Sequence, residues 1–214
     1  MNTFSVAKYN SYPSIATAEA LFLQQLSAAG LSLTKFLDQL SPLLLAEAHE
    51  GHYAACLIHR HCLLQEGERM VSHGRSTRPS RDISCRIVPE RWLGTGEEVE
   101  HRFVDAGHPI PLPPSPKFLE KFRDIVERHN IDTIGVCYAP SAAELAPGFT
   151  FLESAGVEDR ELVVDVVQDA FIPDNAKVYC SAWVPEYGIS PLGGESRQEK
   201  PAMRCTHACI GCPP

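Results

Sequence analysis

The order of helical and strand patterns limits this chain to few architectures. Two amphipathic helical patterns come first, one ending at Gly30 and the next interrupted at Pro42. From residue 53 to residue 184, short apolar runs are separated by turn residues, and one amphipathic helix, from Ser115 to Asn130, interrupts them. Strands that do not alternate with helices favour antiparallel pairing. The sequence therefore predicts an α+β fold, with an N-terminal helical pair followed by a largely antiparallel sheet that has one inserted helix.

The apolar runs also set the predicted domain boundary. Residues 75–82 are rich in Ser and Arg and predict a loop, and Gly, Pro and charged residues dominate after Tyr187. We therefore predict a single domain over residues 1–186 and a flexible tail over residues 187–214. The predicted strands are Tyr53 to Leu64, Arg69 to Val71, Ser84 to Val88, Glu97 to Val104, Thr133 to Tyr138, Phe149 to Glu153, Leu162 to Val167 and Lys177 to Val184.

Composition excludes several classes of partner. The formal net charge is −8 and the basic residues are scattered, which argues against a nucleic-acid partner. No stretch approaches the roughly 20 continuous apolar residues of a membrane span, and the N-terminus lacks a signal-peptide pattern. We therefore predict a cytoplasmic protein with no membrane partner. Because thiols are normally reduced there, the eight cysteines are predicted to be buried thiols, metal ligands or reactive groups rather than a disulfide framework.

The main candidate for chemistry is a histidine pair followed by an acid. On a strand, His59 and His61 would point the same way, so that both imidazoles could reach one metal ion. Glu66, in the following turn, would supply a carboxylate, and His101 is the best-placed fourth ligand from a later strand. This pattern predicts a divalent transition metal, Fe, Mn or Zn. The alternative is that both histidines are structural, half exposed at a strand end and hydrogen-bonded to Glu66 or Glu68.

A second candidate lies in the predicted tail. Cys205, His207, Cys209 and Cys212 form a C-x-H-x-C-x-x-C pattern, and four soft ligands suit tetrahedral Zn²⁺ or Cu(I). Cys180 could replace one of them and hold the tail against the domain. The alternative is a disordered tail that carries thiols.

The sequence contains no motif that identifies a reaction. Nucleophile-elbow, P-loop and dinucleotide-binding patterns are absent, so no catalytic residue is assigned and enzymatic activity stays open. Arg60, Arg69, Arg91 and Trp92 could line a pocket for an anionic or aromatic small molecule. The alternative is a tryptophan at the rim of the core with an arginine stacked on it.

Two local resemblances add expectations. The His-x-His, Glu and closing Gly pattern, from His59 through Glu66 to Gly74, resembles the first motif of cupins, which implies a metal held by the histidines and the glutamate. The segments from Ala55 to Val71 and from Pro89 to Val104 carry L-x-H-R-H, G-E-x-M-V and P-x-x-W, and these are similar to a group of small uncharacterised fungal proteins. That second resemblance implies an intracellular setting and an association with natural-product (secondary metabolite) pathways.

Together these patterns lead to three functional hypotheses. The first is a metal-binding protein with a role as an enzyme or accessory protein acting on a small molecule. The second is a non-catalytic accessory or interaction protein whose histidines are structural. The third places the function in the tail, as a thiol-based metal or redox element. The sequence does not indicate an oligomeric state.

Overall fold

The chain forms a closed barrel of ten strands with four helices among the residues that the structure describes. This computed structural model describes residues 4–46, 53–82, 86–140, 145–146, 148–155, 160–168, 178–186 and 202–210. The helices are α1 (Val6–Ser11), α2 (Ile15–Ala28), α3 (Leu33–Ala46) and α4 (Pro116–Arg128). The strands are β1 (Tyr53–Leu57), β2 (Arg69–His73), β3 (Ser76–Ser80), β4 (Ile87–Leu93), β5 (Glu98–Phe103), β6 (Ile134–Tyr138), β7 (Phe149–Ala155), β8 (Leu162–Gln168), β9 (Val178–Glu186) and β10 (Ala202–Ile210).

The barrel corrects the predicted fold class. Around it the strands run in the order β1, β6, β4, β5, β2, β3, β8, β7, β10 and β9, and β9 pairs with β1 to close it. Two neighbouring pairs, β2 with β5 and β7 with β10, are parallel, whereas the others are antiparallel. The predicted fold class was wrong, since the sheet is a closed, mixed barrel with four helices. A strand pattern shows which residues share a face but not whether the two edge strands meet.

Three helices cover one side of the barrel exterior. Phe22 of α2, Phe36 of α3 and Phe122 of α4 are fully buried, and they share one apolar core with Leu57 of β1 and Trp183 of β9. The short helix α1 packs elsewhere: the buried Tyr9 belongs to a second core cluster, which includes alternate residues of β1 and part of β6. The outward face of this part of the barrel is thus apolar and covered.

Local sequence signals account for the helix ends. The Ser115 hydroxyl accepts a hydrogen bond of 3.1 Å from the Phe118 N–H, and Pro116 occupies the first helical turn, so the predicted start of α4 is confirmed. Gly30 has φ of 67° just after α2, as its predicted role at the helix end requires. The predicted interruption at Pro42 is wrong, because α3 continues through that residue to Ala46.

Several strand predictions also need correction. β1 ends at Leu57 instead of continuing to Leu64, and β2 pairs with β3 and β5 rather than forming a hairpin with β1. The predicted loop over residues 75–82 contains β3. The segment predicted as a tail contains β10, which pairs with β7 and β9, and its residues 187–201 and 211–214 lie outside the described part of the chain.

A disulfide joins the last two strands. Cys180 of β9 and Cys205 of β10 are bonded, with 5.9 Å between their Cα atoms. The expectation that the cysteines would not form disulfides is therefore wrong for this pair. The antiparallel pairing of β9 with β10 brings the two residues within the Cα separation that a disulfide requires, which spacing in the sequence does not reveal.

The helices are short. No helix in the described ranges has both the length and the apolar character needed to cross a membrane.

Candidate metal centre

The histidine pair lies in the segment that follows β1, and it is fully buried. The relative exposure is 0% for His59 and 4% for His61, and their ring centroids are 4.6 Å apart. Nδ1 of His59 lies 3.0 Å from the Leu57 carbonyl oxygen. A carbonyl can only accept a hydrogen bond, so this contact places the His59 proton on Nδ1 and leaves a lone pair on Nε2. Nε2 is buried and has no hydrogen-bond partner among the described residues.

Two residues from distant strands bring further potential metal-binding atoms close to His59. Glu153 of β7 and Cys209 of β10 are direct partners in the parallel pairing of these strands. The Cys209 thiol donates a hydrogen bond of 2.9 Å to Glu153 Oε2. One nitrogen, one oxygen and one sulfur atom of His59, Glu153 and Cys209 lie within 4.8 Å of one another, and all three residues are buried.

A buried ion-pair network adjoins this set. His61 Nε2 lies 3.1 Å from Glu100 Oε1, and Arg91 Nη1 lies 3.6 Å from Glu100 Oε2. Arg91 and Glu100 are paired across β4 and β5, so the sheet itself brings them together. The backbone of His61 is also held, because its N–H donates a hydrogen bond of 3.1 Å to the Tyr9 hydroxyl of α1. The network links α1, the segment after β1, β4 and β5.

The local environment sets the protonation states of His59 and Glu153. Burial lowers the pKa of His59 to about 3, and the neighbouring His61 and Arg91 act in the same direction, so the imidazole is neutral near pH 7. Burial acts to raise the pKa of Glu153, but His61, His207 and Arg91 outweigh it, and the pKa falls below its usual value. Glu153 is therefore ionised. A neutral imidazole beside a carboxylate is the form of both groups that binds a metal.

The same balance applies to Glu100. Burial acts to raise the pKa of Glu100, but Arg91 and His61 hold it well below its usual range. The carboxylate stays ionised inside the barrel because Arg91 lies beside it.

The structure separates the residues of the first metal hypothesis. His59 and His61 are neighbours, but they follow β1 instead of sharing a strand face, because β1 ends at Leu57. Both are buried, whereas the alternative of structural histidines expected them to be half exposed. Glu66 is exposed in the turn before β2 and lies outside the ligand cluster. His101 of β5 is outside the ligand cluster: its ring contacts Phe4 at 5.3 Å and its Nε2 lies 3.2 Å from Glu98 Oε2.

The structure also separates the residues of the tail hypothesis. Cys205 is bonded to Cys180, His207 packs against Phe151 with ring centroids 4.9 Å apart, and Cys212 lies outside the described residues. Cys209 instead meets His59 and Glu153. One ligand from each of the two sequence hypotheses therefore contributes to a single cluster.

Sequence reasoning missed Glu153 and Glu100, and gave Arg91 only a place in a pocket. Glu98, Glu100 and Arg102 alternate along β5, which is typical of a strand with one solvated face. In the closed barrel, Glu100 and Arg102 line the internal cavity, so these charged residues meet other charged groups in the interior. The alternation of charged residues along β5 was the available signal in the sequence. It predicts a face directed into a barrel only when the sheet is already known to be closed.

A cavity of about 160 Å³ lies beside the cluster, inside the barrel. Residues of β2 to β8 and of β10 line its wall, and two of them, Phe103 and Phe151, contribute apolar rings. Glu153 belongs both to the cavity wall and to the ligand set, so the two are continuous. The charged and titratable side chains of the wall include His61, Arg91, Glu100, Arg102, Glu153 and His207.

The ligand set fits a divalent transition metal. Nitrogen, carboxylate oxygen and thiolate sulfur together suit Zn²⁺ best, with bonds of about 2.0–2.3 Å. Three protein ligands leave one position for water or a substrate, as catalytic zinc sites do. The contact of His59 Nδ1 with a backbone carbonyl is the usual second interaction of a metal-binding histidine.

Comparisons with known proteins gave no relative. No family model matches the chain, and no match was found among curated proteins or among solved structures.

Proposed function

We propose that this barrel binds a divalent transition metal, with zinc as the best match, through His59, Glu153 and Cys209, and acts on a small molecule in the adjoining cavity. The observation that carries the proposal is the unpartnered Nε2 of His59, which is fully buried within reach of a carboxylate and a thiol. A buried polar atom without a partner costs free energy, so its retention among two further ligands favours a role in binding.

The proposal differs from a purely structural role for the histidines. A structural histidine would satisfy both ring nitrogens within the protein, whereas His59 does so only at Nδ1. A tail-based thiol site is less favoured, since Cys205 is in a disulfide and Cys209 belongs to the barrel. The link to natural-product pathways stays a prediction of the resemblance.

The residues of the cavity wall suggest how such a site would work. A bound metal would supply Lewis-acid polarisation of a carbonyl group. His61 is a titratable group in the wall, and Glu100 orients it through the 3.1 Å contact at Nε2. His61 is therefore the candidate to hold or release a proton during a reaction, with Glu100 and Arg91 as its positioning residues.

Elemental analysis of protein purified without chelators tests the proposal. We expect about one equivalent of metal in the wild type and a loss of about tenfold or more in metal affinity for His59→Ala, Glu153→Gln and Cys209→Ala. Cys56→Ala is the matched control for Cys209→Ala, because both thiols are fully buried but Cys56 is outside the ligand set. A wild-type protein that unfolds cooperatively and takes up no zinc would instead support an accessory protein with structural histidines.

A further inference from the structure

A buried arginine in the cavity wall has donors that the protein does not use. Arg91 is 6% exposed, and neither its Nε nor its Nη1 has a hydrogen-bond partner among the described residues. Arg91 Nη1 forms an ion pair with Glu100 Oε2 at 3.6 Å, and this distance is too long for a hydrogen bond. Because buried donors are almost always bonded, a group that accepts hydrogen bonds is expected beside Arg91.

The cavity has the size of a small organic molecule. Its volume of about 160 Å³ is close to the roughly 150 Å³ of an engineered protein cavity that takes up benzene. Phe103, Phe151 and Val164 supply apolar surface on part of the wall, whereas Arg91 and Glu100 lie on the polar part. A matching ligand therefore has an apolar body of about one ring and one polar end.

The charges of the wall indicate the sign of that polar end. Arg91 and Arg102 share the wall with the carboxylates of Glu90, Glu100 and Glu153. A divalent metal at the ligand set would offset the charges of Glu153 and of a Cys209 thiolate, so the acidic residues would no longer outnumber the two guanidinium groups. The unused donors of Arg91 then favour an anion over a neutral molecule.

We propose that the cavity binds a small carboxylic acid with an aromatic or branched apolar body, and that Arg91 holds its carboxylate. The inference deepens the proposed function, since its charge balance rests on the metal at His59, Glu153 and Cys209. The carboxylate satisfies the open donors of Arg91, and the apolar body lies against Phe103 and Phe151. This arrangement places a small carboxylic acid next to the metal ligands.

Calorimetric titration of zinc-loaded protein with benzoate tests this inference, with benzamide as the neutral molecule of the same shape. We expect benzoate to bind the wild type about tenfold or more tightly than benzamide. Arg91→Lys keeps the charge but loses the planar donors, and should weaken benzoate binding by about tenfold. Arg78→Lys is the control, since Arg78 is exposed on β3 and is not part of the cavity wall.

Equal affinity for benzoate and benzamide, or benzoate binding that Arg91→Lys leaves unchanged, would overturn the inference. The comparison of benzoate with benzamide uses the wild type alone, so it tests whether the cavity prefers a carboxylate even if Arg91→Lys does not fold. Zinc content is measured on the same samples. Zinc without benzoate binding refutes only the ligand class, whereas benzoate binding by a protein that takes up no zinc refutes the proposed metal site and leaves the ligand class standing.

Discussion

Glu100 lies between His61 and Arg91 in the barrel interior, with one carboxylate oxygen 3.1 Å from His61 Nε2 and the other 3.6 Å from Arg91 Nη1. The three side chains are nearly inaccessible to solvent. A single carboxylate therefore offsets the buried guanidinium and fixes the imidazole. A variant without the Glu100 charge leaves the charge of Arg91 uncompensated, which should lower the free energy of unfolding.

Glu100→Gln should lower the free energy of unfolding by about 3–5 kcal/mol, because it breaks a buried ion pair and leaves the other charge unpaired. Urea unfolding followed by circular dichroism measures the loss. Glu98→Gln is the matched control, two residues away on the same strand and 29% exposed in its side chain. It should cost no more than about 1 kcal/mol. Equal losses in the two variants would show that the Glu100 pair does not contribute specifically.

A partial recovery should follow when both partners are removed. The double variant Arg91→Met with Glu100→Gln no longer buries an unpaired charge, so it should be more stable than Glu100→Gln alone. A double variant that is less stable than either single one would contradict this account of the network.

Stability without metal should fall as the pH falls from about 7 to about 5. The pKa of His59 is about 3 in the folded protein and about 6.5 in an unfolded chain. Between these values the unfolded chain binds a proton that the folded protein does not, so the stabilising contribution is present above the unfolded pKa and is lost toward acid. His59 alone accounts for about 2 kcal/mol over this range.

The comparison of His59→Gln with the wild type isolates that contribution. In chelator, urea unfolding of the His59→Gln variant should show a shallower dependence on pH between about pH 7 and about pH 5. His73→Gln serves as the control, because His73 is exposed on β2 and lies outside the buried ligand set. A wild-type profile that is flat over this interval would exclude a neutral, buried His59.

Replacing Cys180 and Cys205 together by serine should lower the free energy of unfolding by about 3 kcal/mol, because the bond closes a loop with a sequence separation of 25 residues. Peptide mapping under non-reducing conditions should yield one linked peptide pair that contains both residues. The control Cys62→Ser removes a half-buried thiol outside the bond. Unlinked peptides in protein isolated without reductant would contradict the pairing.

Gly135→Ala should destabilise the barrel strongly. Gly135 lies on β6 between β1 and β4, and an added Cβ would clash with the Trp92 carbonyl oxygen and with Ile58 Cδ1. Overpacking of this kind costs about 1–3 kcal/mol, as measured by thermal or urea unfolding. Adding Ile58→Val to Gly135→Ala should restore only part of the loss, since the carbonyl stays in place. Full restoration of stability would show that only the Ile58 side chain, and not the Trp92 carbonyl, limits the space for a Cβ atom at residue 135.

The sequence identified α2 and α4, missed α1, wrongly interrupted α3 at Pro42, and identified the strands in part. The start of α4 at Ser-Pro and the end of α2 before a glycine depend on residues within one helical turn, so the sequence alone predicts them. β10 was missed because it lies between segments rich in Gly and Pro and is held by pairing with β7 and β9, which are distant in sequence.

By itself, the sequence determined that α4 begins after Ser115, that Gly30 follows the end of α2 and that one face of each of α2, α3 and α4 is apolar. These properties depend on residues a few positions apart, and short-range geometry fixes them. Only the tertiary structure decided that the strands close into a barrel, that Glu153 and Cys209 meet His59, and that Glu100 and Arg102 of β5 line a cavity. These depend on strand order and on which sheet edges meet, and side-chain periodicity along one strand carries no information about either.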